Sequence, residues 1–194
     1  MDFKSKIILL SGPTASGKSS FGIKLAKKIN GEIINADSMQ VYKQIKILSA
    51  RPNPKNYQKV RHHLYGFHDI KNNFSTGDWL KLVIKKIKEV KKRKKIPILL
   101  GGTGLYFKAL TDGLSKIPKI PLKIRNQIRA LHLEIGQKRF YQLLLKIDPI
   151  SVNKIKPNDK HRTLRAYEIK FYTQTSIHNY FKNTKSNFKE IDFY

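Results

Sequence analysis

Residues 10–20 read Leu-Ser-Gly-Pro-Thr-Ala-Ser-Gly-Lys-Ser-Ser, and the stretch from Gly12 to Ser19 fits the spacing G-x-x-x-x-G-K-[ST]. The apolar run Ile7 to Leu10 precedes it, and Phe21, Leu25 and Ile29 follow at helical spacing within Lys18 to Ile29. Strand, glycine loop, helix is the context in which such a loop cradles phosphate. Across Gly12, Pro13, Thr14, Ala15, Ser16, Gly17, Lys18 and Ser19, the glycines let backbone N–H groups turn inward at a helix N-terminus. Lys18 supplies a point charge for the outer phosphates, and the Ser19 hydroxyl can ligand Mg²⁺. The motif names a diphosphate or triphosphate and leaves the reaction open.

The rest of the first 114 residues repeats the same alternation. Glu32 to Ala36 reads as a second strand ending on Asp37, followed by a polar turn over Ser38 to Tyr42. Pro52 to Gln58 reads as loop, with two prolines and two asparagines. Ser75-Thr-Gly-Asp78 has capping-box spacing, and Trp79, Val83, Ile87 and Val90 form an apolar helical stripe after it. The basic run Lys91 to Lys95 is expected as solvated surface that complements the helix dipole. Ile96 to Leu100 is the third strand, leading into Gly101-Gly-Thr-Gly104 and a helix through Leu110. Three strands with helices between them predict a parallel α/β sheet.

The texture changes after Gly113. Ser115 to Pro121 is a proline-containing linker, and Leu122 to Leu145 reads as helices carrying Arg125, Arg129, Lys138 and Arg139. Pro149 and Pro157 interrupt, and Arg162 to Tyr172 resumes the helical pattern. Phe188, Ile191 and Phe193 alternate as though the chain returns to the sheet. The expected fold is α/β: a P-loop NTPase-like parallel sheet core over residues 1–114, an all-helical insertion over 115–184, and a return strand beginning within 185–194. A three-stranded parallel sheet is poorly covered, so we expect a core shortened at its C-terminal side.

Composition bears on partners. Lys and Arg number 40 against 13 Asp and Glu, a net charge of +27 that draws polyanions, nucleic acid foremost. With 32 Lys and 8 Arg, the excess also matches a lysine-rich surface without a dedicated site. The scarce arginines are more telling, because Arg125, Arg129, Arg162 and Arg165 all fall in the insertion. The absence of cysteine excludes disulfides, thiolate zinc sites and cysteine nucleophiles. Met1 to Lys6 lacks a signal-peptide pattern and no long apolar run occurs, so a soluble cytoplasmic protein with no membrane partner is expected.

Asp37, at the carboxyl end of the second strand, shares a rim with the glycine loop. It can hold Mg²⁺, take a proton from a nucleophile, or cap a turn. The third strand runs into Gly-Gly-Thr without the acid that many phosphotransferases place there, which disfavours a nucleotide kinase. His62, His63 and His68 find no completing ligand set and read as structural, and Tyr106 and Phe107 read as core.

Four stretches together resemble the tRNA dimethylallyltransferases: G-P-T-A-S-G-K-S (12–19), N-A-D-S-M-Q-V-Y (35–42), I-P-I-L-L-G-G-T-G-L-Y (96–106) and K-P-N-D-K-H-R-T-L-R-A-Y-E (156–168). They span nearly the whole chain in the family's order. The resemblance implies transfer of a dimethylallyl group from dimethylallyl diphosphate to the exocyclic N6 of the adenine 3′-adjacent to the anticodon of tRNA. It implies that Gly12 to Ser19 binds the leaving diphosphate with Mg²⁺ on Ser19, and that Asp37 is the general base. It further implies that Ser38, Met39 and Gln40 line the pocket for the flipped base. Thr103 and Arg125 would contact the tRNA, as would His161, Arg162, Thr163, Leu164 and Arg165, while the insertion grips the anticodon stem-loop of a monomeric enzyme. Ser19 stands where Thr is more usual and Arg51 where Lys is, and family members continue beyond Tyr194. A non-catalytic RNA-binding remnant is the alternative.

Overall fold

The structure is a computed structural model that describes residues 5–182 and 184–194, of Ile191 the backbone alone. The first four positions of the Met1 to Lys6 lead and the Ile191 side chain lie outside the described residues.

The chain divides into two compact units, Met1–Gly113 with Ser186–Tyr194, and Leu114–Lys185. The first unit is built on β1 (Ile8–Ser11), α1 (Lys18–Ile29), β2 (Gly31–Asn35), β3 (His62–His63), α2 (Thr76–Lys92), β4 (Ile96–Gly101) and α3 (Gly104–Thr111). All strand pairs are parallel, in the order β1-β4-β2-β3. The sheet thus has four strands among the described residues, not the three expected. β3 was invisible to periodicity because it is two residues long, and it joins through Ile33↔His62 and Ile34↔His63.

β4 sits between β1 and β2, and all six of its residues are buried, as a strand covered on both faces requires. Ile8, Ile33, Ile96, Ile98 and Leu100 meet Ile23 and Ala26 of α1. Their alternating neighbours Ile34 and Leu99 are fully buried too, and by strand alternation they face the other side, where α2 and α3 pack. Trp79 is fully buried there and stacks on Tyr106 with centroids 4.1 Å apart at 12°. A ring pair so placed adds about 1 kcal/mol to its apolar burial. The α2 cap has the expected geometry: Asp78 N–H donates to Ser75 Oγ at 3.1 Å and Ser75 N–H to Asp78 Oδ2 at 3.1 Å. The returning end lies beside β1, with Ile7 N–H donating to Asp192 O at 2.7 Å and Tyr194 N–H to Ile7 O at 3.0 Å.

One expectation needs correction. Within the basic run read as solvated surface, Arg93 is bound to the buried Glu32 by Nε at 3.0 Å and Nη2 at 2.6 Å. His63 Nε2 completes that carboxylate at 2.6 Å. Burial alone pushes the Glu32 carboxyl up, yet the hydrogen bonds from Arg93 and His63 outweigh it and hold the carboxyl below its ordinary value. The pair spans 61 positions, so no local pattern reveals it.

The second unit contains α4 (Leu122–Ile147), α5 (Lys160–Thr173) and α6 (Ile177–Lys182). α4 is two helices broken at Gly136, whose φ of 75° and ψ of 164° fall in a region reserved for glycine. Its core gathers Ile128, Phe140 and Leu144 of α4 against Ala166, Tyr167 and Ile169 of α5. Asp148, buried, accepts hydroxyl hydrogen bonds from Ser151 at 3.0 Å and Ser176 at 2.8 Å, fastening the turns between these helices.

Candidate active site

Three loops at the carboxyl ends of β1, β2 and β4 make one rim, the position at which open parallel sheets bind ligands. Residues 12–17 form the first loop. Ala15 and Gly17 have φ of 64° and 78°, left-handed steps that turn successive backbone N–H groups to one side. Thr14, Ala15, Ser16 and Gly17 are exposed, as is Ser19 on the first turn of α1. The Lys18 ammonium arches back over the loop, donating to the Pro13 carbonyl and lying 3.5 Å from Ser16 Oγ. A Cβ at Gly12 would lie 3.3 Å from the Lys18 stem, so glycine gives that stem its room. Loop and β4 rim together border a cleft of about 420 Å³ lined by Ser11, Gly12, Pro13, Gly102, Gly104 and Phe107.

Asp37 begins the second loop, and its surroundings are more closed than the sequence suggested. Asn35, fully buried, holds the backbone of Asp37 from both sides: Asn35 Oδ1 accepts Asp37 N–H at 2.9 Å, and Asn35 Nδ2 donates to Asp37 O at 2.9 Å. The same amide donates to Leu64 O at 3.0 Å, while the Trp79 indole N–H donates to Asn35 O at 3.0 Å. Asp37 Oδ1 accepts Met39 N–H at 2.9 Å, an Asx turn that fixes the carboxylate plane. Asp37 Oδ2 makes no hydrogen bond among the described residues, and a Cβ at Gly102 would lie 4.0 Å from it and 3.5 Å from Gly12 O. The carboxylate is therefore aimed, half-buried, toward the glycine loop.

The third loop docks directly on the second. A Cβ at Gly101 would come within 2.2 Å of the Ala36 carbonyl, so the two backbones approach as closely as only glycine permits. Thr103 occupies the N-cap of α3 without capping it. Its hydroxyl instead accepts Ser38 N–H at 2.9 Å and donates to Ser38 Oγ at 3.2 Å. Met39 is exposed, and Gln40 is turned inward, its amide donating to Ser49 O at 3.0 Å. Arg51 spans the same loop, Nη1 donating to Tyr42 O at 2.8 Å. Beneath the rim, burial pushes the Tyr106 phenol up to about 12, and the nearby Tyr42 and Asp37 side chains add to it. Tyr106 is core, as expected from the sequence.

The remaining candidates lie in the helical unit. Arg125 and Arg165 both turn toward Glu168, with Arg125 Nε and Arg165 Nη1 each 3.4 Å from Oε2. His161 and Arg162 are exposed, and Asp159 caps α5 by accepting Arg162 N–H at 3.0 Å. Leu164 is half-buried against the helical core. Thr163, implied as an RNA contact, is fully buried: its hydroxyl donates to Asp159 O at 2.7 Å and accepts from Gln137 Nε2 at 3.2 Å. Sequence reasoning overlooked Asn35, two residues before Asp37, and Glu168, three after Arg165, although both lie inside motif stretches.

Residues 40–194 match the family model described as IPP transferase. The chain belongs to the IPP transferase family. Among curated relatives of this family, the tRNA dimethylallyltransferase of Pelagibacter ubique (strain HTCC1062) is 61% identical over 193 residues, covering 100% of this chain and 62% of that protein. The tRNA dimethylallyltransferase of Rickettsia massiliae (strain Mtu5) is 49% identical over 178 residues, covering 91% of this chain and 49% of its own length. The chain thus spans about half to three fifths of the curated relatives it matches. A eukaryotic dimethylallyltransferase captured acting on tRNA superposes with a TM-score of 0.81 at 31% identity, over 97% of this chain and 46% of that one. The tRNA isopentenylpyrophosphate transferase of Bacillus halodurans gives 0.57 at 36% identity, over 88% and 57%. The family match starts at Gln40, so the glycine loop and Asp37 are carried by the longer alignments. The α/β, P-loop NTPase-like class expected for the core is the class of these IPP transferase neighbours.

Proposed function

We propose that this chain transfers a dimethylallyl group from dimethylallyl diphosphate to the exocyclic N6 of the adenine 3′-adjacent to the anticodon of tRNA. The observation that carries the reading is the Asp37 carboxylate, tied through Oδ1 and open through Oδ2, set on one rim with a phosphate-type glycine loop.

In this reading the residues divide the work. The backbone N–H groups of residues 14–19 and the Lys18 ammonium hold the diphosphate as it departs, a task of charge stabilisation. The adenine N6 forms its bond to the allylic carbon while the carbon–oxygen bond to the diphosphate breaks, and Asp37 Oδ2 takes the N6 proton. Ser38, Met39 and Gln40 shape the pocket for an adenine swung out of its stack, and Thr103 keeps Ser38 in place. A group of three or more His, Cys, Asp or Glu side chains suited to a metal does not occur among the described residues. That suits Mg²⁺, which takes one or two protein oxygens and otherwise substrate phosphates and water; the exposed Ser19 hydroxyl fits as its protein ligand. When bound, Mg²⁺ supplies further charge stabilisation to the diphosphate.

On the helical unit, Arg125, His161, Arg162, Leu164 and Arg165 serve the anticodon stem-loop, while Thr163 acts from inside, holding the first turn of α5. We further propose that the protein works as a monomer in the cytoplasm; among the described residues no helix is long and apolar enough to cross a membrane. Incubation with labelled dimethylallyl diphosphate and an unmodified tRNA transcript tests the function. The expected result is label on the adenine beside the anticodon. RNA binding without transfer would replace the reading with a binding remnant, and phosphoryl transfer from ATP would replace it with a kinase.

A further inference from the structure

A cavity of about 910 Å³ opens at the other end of the sheet from the glycine loop, where β2 and β4 begin. The two strands have five and six residues, so at about 3.3 Å per residue the cavity stands roughly 15 Å from the Asp37 rim. Five cations reach it from three parts of the first unit: Lys27 from the last turn of α1, Lys59 and Arg61 from the segment leading into β3, and Arg93 and Lys95 from the turn between α2 and β4. The acid among the lining residues is Glu32, and Arg93 and His63 already occupy both of its oxygens. The other four cations have no acidic partner among the described residues.

Two of those four are held by neutral groups. Lys27 Nζ donates to Gln58 Oε1 at 2.7 Å, and Lys95 Nζ donates to Asn30 Oδ1. An amide oxygen fixes an ammonium without cancelling its charge, and leaves it N–H groups for a ligand. The segment that carries Lys59 is bent toward the same hollow. Gln58 and Lys59 stand at φ of 48° and 69°, two consecutive left-handed residues of which neither is glycine. Tertiary structure holds this turn from its far side, where buried Val60 donates its N–H to Tyr57 O at 2.9 Å and Arg61 O accepts the Ile33 N–H at 2.9 Å. A merely solvated lysine surface has no need of a strained turn that gathers like charges around one concavity.

We propose that this cavity is a binding site for a small anion carrying two or more linked phosphates, with Lys27, Lys59, Arg61 and Lys95 as its receptors. A cleft lined by one sign of charge focuses potential inside it, and four uncompensated cations exceed what one phosphate neutralises. The volume suits a ligand of nucleotide size. Ala26, Gly31 and Val60 supply the apolar lining, with no aromatic ring among the described lining residues, so recognition falls on the phosphates. Free polyphosphate and nucleoside polyphosphates share that chemistry. A cavity gathers its charge at one place, where linked phosphates concentrate theirs and an RNA backbone strings it out. The site shares no residue with the Asp37 rim or the helical unit, and it stands or falls independently of the proposed function.

Calorimetric titration of K18A with inorganic tripolyphosphate isolates the cavity, because the glycine loop has then lost its ammonium. One site is expected, with AMP about tenfold weaker or more. Adding K59N and R61Q to that background should weaken tripolyphosphate about tenfold at unchanged melting temperature, since asparagine tolerates the left-handed backbone while removing the charge. ATP titrated alongside separates the sources. Equal affinity assigns the site to linked phosphates alone, binding about tenfold tighter assigns it to a nucleotide, and either upholds the proposal. Tripolyphosphate bound as tightly after K59N and R61Q as before, or AMP bound as tightly as tripolyphosphate, would overturn it. So would a cavity indifferent to tripolyphosphate whose substitutions instead weaken binding of an anticodon stem-loop RNA. If K18A fails to fold, the Arg61 Nε–H NMR signal of the native chain decides, and a signal unmoved by tripolyphosphate overturns the proposal.

Discussion

The two units each bury one glutamate beside basic side chains, and they use it in opposite ways. Glu32 meets Arg93 through two short bonds of 3.0 and 2.6 Å and His63 through a third, so every charge is balanced and little is left to offer a ligand. Glu168 meets three arginines at 3.4–3.7 Å, so positive charge remains and faces outward. Closed and balanced geometry serves the fold; open and overcharged geometry leaves positive charge uncompensated. The rim around Asp37 combines both habits, with Asn35 holding the Asp37 backbone N–H and carbonyl and one carboxylate oxygen left open.

Removing partners tests that contrast. The largest stability effect is expected at Asn35. N35A strips three hydrogen bonds from a fully buried position and leaves the Asp37 and Leu64 groups unsatisfied, costing about 3 kcal/mol in denaturant unfolding. R93A is expected to cost about 2 kcal/mol, below the usual figure for a broken buried pair because the Arg93 side chain keeps 34% of its exposure. RNA affinity should stay within about twofold in R93A, since the lost charge lies in a closed pair. R129Q gives the mirror image, with stability changed by about 0.5 kcal/mol or less, because Arg129 is 53% exposed. If R129Q and R93A cost the same, the contrast between the two glutamates fails.

Acid sharpens it further. Glu32 has a carboxyl held below its value of 4.5 in the unfolded chain, so its contribution is present above that value and is lost as pH falls through the lower folded value. His63, whose imidazole burial pushes down from 6.5 despite the opposing pull of Glu32, adds a loss that begins higher, as pH falls below 6.5. Unfolding free energy measured from pH 7 downward should decline in both windows, and H63Q should make the upper one shallower, the remainder coming from His62 and His178, whose imidazoles burial also pushes down.

How much of this was legible in the sequence follows the reach of each interaction. The glycine loop, α1 and the Ser75 cap depend on residues within a turn or two of one another, and periodicity exposes them. β3 is too short for any period and exists because β2 offers it an edge. Arg93 looked like part of a solvated run because Glu32 lies 61 positions away, and the hold of the Thr103 hydroxyl on Ser38 spans 65 positions, beyond any local pattern. Asn35 read as the tail of a strand; its side chain is a clamp only once Leu64 and Trp79 are folded around it.

The most direct measurement is single-turnover prenyl transfer by D37N beside the native chain, with labelled dimethylallyl diphosphate and tRNA transcript. Asparagine keeps an oxygen for the Met39 N–H and removes the base. The expected result is a fall in rate of about 10²–10⁴ with RNA binding and melting temperature unchanged. A D37N chain that transfers the group at the native rate would contradict it.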